Sequence, residues 1–141
     1  RGQALNLGAI PDPIHIAGIS TFSSLARELR RQFQQAGVGI ADSAADSASV
    51  LRISRREENS RVLSVDSRNK AVEYELEASA RFALYDSDGG EQVPPQTVRT
   101  LRILKRPTDA ILGAGRERDL LRADMRRDLA ERIARRLAAQ L

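Results

Sequence analysis

Between Val72 and Tyr85 the chain alternates apolar and polar residues through a fourteen-residue stretch. Val72, Tyr74, Leu76, Ala78, Ala80, Phe82 and Leu84 fall on one side, and Glu73, Glu75, Glu77, Ser79 and Arg81 on the other. Side chains of an extended chain point alternately to opposite faces, so a period of two specifies a strand with one wet face. Fully extended, the stretch reaches roughly 46 Å at about 3.3 Å per residue, whereas a usual strand has about 5–6 residues. So long a strand in a chain of 141 residues describes a scaffold whose surface is the working part, not an enzyme pocket.

The flanking segments supply the rest of a sheet and two helices. Residues 1–13 carry Gly2, Gly8, Pro11 and Pro13 and read as an irregular lead-in; Ile14, Ile16 and Ile19 mark a short first strand. Ser20 to Ser24 offer helix caps. Phe22, Leu25, Ala26, Leu29, Phe33 and Ala36 then recur at helical spacing, and Gly37 is placed to end the helix. After a polar loop from Asp42, a second strand runs from Val50 to Val65. Its charged stretch Arg55–Asn59 reads either as a bulge or as a wet segment of one long strand. Turns fall at Asp66–Asn69 and Asp86–Gly90, a fourth strand covers Val98–Leu104, and Pro107 stops it. In the last segment Leu121, Met125, Leu129, Ile133, Leu137 and Leu141 recur every four residues, flanked by Leu120, Ala130, Ala134 and Ala138. Asp128 with Arg132 and Glu131 with Arg135 stand as i,i+4 pairs. The expected fold is α+β: one domain over residues 1–141, with a four-stranded, mixed but largely antiparallel sheet and two helices packed on one face, in the order β-α-β-β-β-α.

Charge and composition narrow the function. Cysteine is absent, which excludes disulfides, thiol nucleophiles and thiolate metal sites. No apolar run is long enough to span a membrane as a helix. The formal charge is +4, and all but two of the 23 basic residues are Arg, a bias that suits anionic partners as well as an Arg-rich codon usage. His15 is the lone histidine and lacks a second ligand at metal spacing. Glu73, Glu75 and Glu77 would line an open sheet face, which gives paired carboxylates no enclosure for acid–base work and suits a partner surface better. They also argue against an RNA-binding sheet, which stacks bases on aromatics. Gly113-Ala114-Gly115 resembles a phosphate loop only in outline and reads as a flexible lead into the last helix. Arg116 and Arg118 beside that helix start, and Arg68 at the tip of the turn between strands two and three, are candidate anion contacts. Arg122 and Arg126 belong to the charged face of the last helix, where eight Arg stand against five acids.

Several segments together resemble the LptE family of outer-membrane lipopolysaccharide-assembly lipoproteins. Arg1-Gly2 resembles the tail of the family's lipidated Cys-Gly-Phe-x-Leu-Arg-Gly start. Arg31-Gln32-Phe33-Gln34-Gln35-Ala36-Gly37-Val38 resembles the end of its first helix, and Ala71-Val72-Glu73-Tyr74-Glu75-Leu76 its Ala-x-Glu-Tyr-x-Leu strand. Pro94 resembles the proline after the next turn; Glu117, Leu120, Leu121, Asp124 and Met125 resemble the opening of the last helix. The resemblance implies a protein that is not an enzyme and needs no cofactor. It implies a 1:1 plug in the lumen of the LptD β-barrel, assisting barrel assembly and transfer of lipopolysaccharide to the outer leaflet. It also implies anchoring on the periplasmic side of the outer membrane by a lipid on a Cys upstream of Arg1, and no nucleic-acid partner. Lipopolysaccharide binding through basic loop residues is expected at Arg68, Arg116 and Arg118, with Glu73, Glu75, Glu77, Arg122 and Arg126 facing the barrel. The family's Lys before the last helix falls near Ala114 here, so Arg116 is its nearest substitute. The alternatives are another periplasmic transport-auxiliary lipoprotein or a small RNA-binding α/β domain.

Overall fold

A computed structural model of the protein describes residues 5–105 and 111–141. Its elements are β1 (Ile14–Ala17), α1 (Ser24–Gln35), a short 3-10 turn (Ala44–Asp46), β2 (Ser49–Val65), β3 (Ala71–Asp86), β4 (Glu91–Lys105) and α2 (Ile111–Gln140). The strands lie in the order β1-β2-β3-β4; β1 is parallel to β2, and β2, β3 and β4 form an antiparallel meander. This is the mixed α+β sheet with two helices that the periodicities specify. The Pro107 stop and the Arg1-Gly2 start lie outside the described residues.

The alternating strand is β3, 16 residues long. Leu76, Ala78, Ala80, Phe82 and Leu84 are buried, and the helices cover that face. From α1 the core takes Leu25, Leu29 and Phe33, and from α2 Met125, Leu129, Ala130, Ile133, Ala134 and Leu137. Residues 5–13 form no helix or strand, yet they contribute Leu7 and Ile10 to the same core. Leu120 and Leu141 are exposed, in contrast to the four-residue repeat between them.

Both hairpin turns use one device. The Asp66 carboxylate accepts the N–H groups of Arg68 (2.8 Å) and Lys70 (3.0 Å); Asp86 accepts those of Asp88 (2.9 Å) and Gly90 (2.8 Å). An Asp side chain replacing a backbone acceptor in this way holds a tight turn closed. Helix α1 is capped by Ser23, whose Oγ accepts from the Ala26 N–H, and closes with Gly37 at φ +82°. Val38 N–H donates to the Phe33 carbonyl (2.9 Å) and Gly37 N–H to that of Gln34 (3.1 Å), the paired bonds of a Schellman motif. Phe22 falls before the cap, off the helix, and is 84% exposed, so helical spacing misplaced it on the core face.

The charged stretch Arg55–Asn59 does not break β2. Ile53 pairs with Phe82 and Arg55 with Arg81, so Ser54 is an extra, bulged residue. The bulge reverses sidedness: before it Leu51 and Ile53 enter the core, and after it Arg56 and Glu58 stand opposite the buried Ala80 and Ala78. Gly18 ends β1 against this point, and a Cβ there would lie 2.0 Å from the Ile53 carbonyl oxygen. β4 starts at Glu91, earlier than the Val98 start expected. Pro94 and Pro95 sit where the register shifts between Phe82 and Leu84, on a strand whose only described neighbour is β3, so their missing N–H groups cost no ladder bond. α2 also starts earlier than expected: Gly113, Ala114 and Gly115 are helical, not a flexible loop.

Candidate functional site

The sheet face away from the helices carries an ionic lattice built from the alternation of β3. Glu77 accepts from Arg99 of β4 (3.2 Å), Glu75 from Arg61 of β2 (2.9 Å), and Glu73 from the Ser64 hydroxyl (2.7 Å). On the same face, Arg55 and Glu57 pair at 2.6 Å. Glu73, Glu75 and Glu77 thus lie in one row, each tied to a neighbouring strand and each partly open to solvent. Leu101 and Ile103 pair across from Glu77 and Glu75 and are about half exposed, a short apolar strip beside the charges. Such a surface holds ordered charges, open to solvent, beside a small apolar strip.

The distal end gathers the basic residues. Arg68 is exposed at the β2–β3 turn, held out by a backbone that Asn69 (φ +63°) and Asp66 fix. The Lys70 and Arg68 N–H groups keep the Asp66 carboxyl below its ordinary pKa, so the turn stays stapled through neutral pH. The Arg118 guanidinium lies over the Tyr74 ring at 5.2 Å, a cation–π contact that docks the start of α2 on the far half of β3. Arg116 is exposed two residues earlier. α2 is already helical from Ile111, more than one turn before Arg116. Arg116 and Arg118 therefore offer side-chain charge from within the helix.

Arg122 and Arg126 are turned toward the sheet. Arg126 clasps Glu58 with two of its nitrogens, Nε to Oε2 at 2.9 Å and Nη2 to Oε1 at 3.0 Å, and Arg122 lies 4.0 Å from the same carboxylate. The hydrogen bond from Arg126 lowers the Glu58 pKa against the opposing effect of burial, and that of Arg126 is raised in return. A second clamp, absent from the sequence reading, joins β4 to α2. Arg102 donates to Asp124 (3.0 Å), and Thr100 and Arg132 donate to Asp128. Burial alone would raise the Asp128 pKa, but the bonds from Thr100 and Arg132 outweigh it and leave it lowered. The Asp128–Arg132 pair forms at 3.2 Å as the spacing anticipated; Glu131 and Arg135 do not come within ion-pair distance.

His15 donates from Nδ1 to the Ala41 carbonyl (2.9 Å), a structural bond between β1 and the loop after α1. Among the described residues no three ligating side chains converge on a metal position, and no helix is long and apolar enough to cross a membrane.

Residues 12–137 match the family model LptE, described as lipopolysaccharide-assembly. The fold recurs in three solved structures. The uncharacterized lipoprotein B from Nitrosomonas europaea is 24% identical, with a TM-score of 0.80 over 99% of this chain and 88% of that chain. The rare lipoprotein B from Shewanella oneidensis is 25% identical, with a TM-score of 0.76 over 89% and 93%. The minor lipoprotein from Acinetobacter baumannii is 19% identical, with a TM-score of 0.74 over 89% and 90%. No curated protein sequence gives a significant match. With one family model running through the whole sheet, α1 and all but the last residues of α2, the chain belongs to the LptE lipopolysaccharide-assembly family.

Proposed function

We propose that this protein is the plug subunit of an LptD–LptE translocon, anchored by an N-terminal lipid on the periplasmic side of the outer membrane. It acts there by occupying the barrel lumen and not by catalysis. The observation that carries the reading is the ordered ionic face of Glu73, Glu75, Glu77, Arg61 and Arg99 on a sheet whose other face is sealed by helices. A barrel lumen is polar, and a plug that presents fixed charges matches it without the greasy patch that would aggregate before assembly. In this reading Glu73, Glu75 and Glu77 face the barrel directly. Arg122 and Arg126 support the same surface by locking α2 to β2 through Glu58.

Lipopolysaccharide contact is assigned to Arg68, Arg116 and Arg118, because guanidinium forks hold phosphate oxygens in pairs. Arg68 and Arg116 are exposed, and Arg118 is half-buried over Tyr74. The test has two arms. Co-expression with the LptD barrel of the same cell should give a stable 1:1 complex, and Glu73→Lys with Glu75→Lys and Glu77→Lys should abolish it. Separately, Arg68→Glu with Arg116→Glu should weaken lipopolysaccharide binding by the purified protein without changing its melting temperature. Failure to capture the barrel would refute the plug; unchanged lipid binding would refute the basic site alone.

A further inference from the structure

A second group of arginines lies at the opposite end of α2. Arg132, Arg135 and Arg136, with Ala139 and Gln140, face Val98 and Arg99 of β4 across an open cleft of about 340 Å³. Val98 is buried beneath α2, whereas Arg99 faces the open side, so a cleft touching both wraps the outer margin of β4. Two of the four cations are neutralised: Arg99 by Glu77, and Arg132 by Asp128. Arg136 donates to Gln96 Oε1 (3.0 Å), an uncharged acceptor. Gln96 is itself fixed by two bonds to Gln140, at 2.9 and 2.8 Å. This amide pair orients the guanidinium without cancelling its charge. Arg135 makes no hydrogen bond or ion pair with the described residues, and Glu131, the acid best spaced to pair with it, does not.

Like charges held together in this way raise the local positive potential, and the orientation of Arg136 is established before any ligand arrives. The cleft has no aromatic wall, and the charged groups that line it are all guanidinium ions, so an anion is the ligand it can recognise. Planar forks on two adjacent residues suit a compact oxyanion with several acceptor atoms. We propose that the cleft between β4 and the last turns of α2 is an anion site that takes a phosphate group, either free or on a lipid head. About seventeen residues of helix separate Arg118 from Arg135, roughly 26 Å at 1.5 Å per residue, so the site is separate from the distal basic end and stands whether or not the plug reading does.

The experiment is a titration of the ¹⁵N-labelled chain with sodium phosphate, against sodium chloride at equal ionic strength, following arginine Nε–H and glutamine side-chain signals. Saturable shifts confined to Arg132, Arg135, Arg136, Gln96 and Gln140 are expected with phosphate alone. Arg135→Glu, which breaks no contact in the structure, should weaken the apparent affinity on the order of tenfold. Arg136→Gln keeps a donor for Gln96 and should weaken it less. Flotation with phosphatidate vesicles, compared with phosphatidylcholine vesicles, separates the two sources. Binding that Arg135→Glu reduces identifies a lipid phosphate; phosphate shifts without vesicle binding identify a soluble one. Shifts equal in chloride and phosphate, or unaffected by Arg135→Glu, would overturn the site.

Discussion

Two carboxylates, Glu58 and Asp128, carry the contacts between α2 and the sheet at its charged margins. Both have lowered pKa values in the fold, so their contribution is fully present above the ordinary carboxylate range and is lost as pH falls through the folded values. Glu58→Gln and Asp128→Asn should each cost about 1 kcal/mol at neutral pH, since partly exposed pairs are worth little more. The cost should shrink toward zero in acid, which urea melts at several pH values would show. Two glycines give a contrasting pair. Gly37→Ala adds a Cβ to open space and should cost only the strain of its left-handed backbone, about 1 kcal/mol. Gly18→Ala has similar strain and also meets the Ile53 carbonyl, so it should cost visibly more in the same melts. Gly37 was legible in the sequence because a Schellman end is local. Gly18 was not, because its reason lies on another strand.

At the level of elements, periodicity read correctly wherever one period ran unbroken: β3, the core stripe of α2, and the body of α1. It failed where local geometry changed phase. A period of two carried on from Leu51 and Ile53 would place Glu58 on the open face; the extra residue at Ser54 turns it toward α2, and so hides why Arg122 and Arg126 matter. The start of α2 was missed because two glycines imitate a loop, although each costs a helix only about 1 kcal/mol, which the packed half of so long a helix offsets. The candidate site was legible only as residue types: the row Glu73, Glu75, Glu77 followed from alternation, but its partners Arg61, Ser64 and Arg99 needed the strand register. The phase of α2 has a direct check. Leu129→Ala should destabilise by about 2–5 kcal/mol, as a buried leucine does, and Leu120→Ala by less than about 0.5 kcal/mol, in thermal or denaturant unfolding.

Taken whole, the molecule is a long plate: three strands of 15 to 17 residues, each roughly 50 Å at about 3.3 Å per residue, backed by a 30-residue helix of about 45 Å. One broad side is sealed and the other is an ionic lattice, with arginines gathered toward both ends. Its length makes the direction of the distal hairpin sensitive to the bulge at Ser54. Removing Ser54 would leave Ile53 opposite Phe82 and Arg55 opposite Arg81, so every rung and every inward or outward choice would survive. The added coiling that a supernumerary residue imparts would go. The shortened chain should therefore fold with nearly unchanged circular dichroism yet aim Arg68 differently from its parent. Loss of barrel capture by that chain would trace assembly to the curvature of the plate, since its inventory of charges is intact.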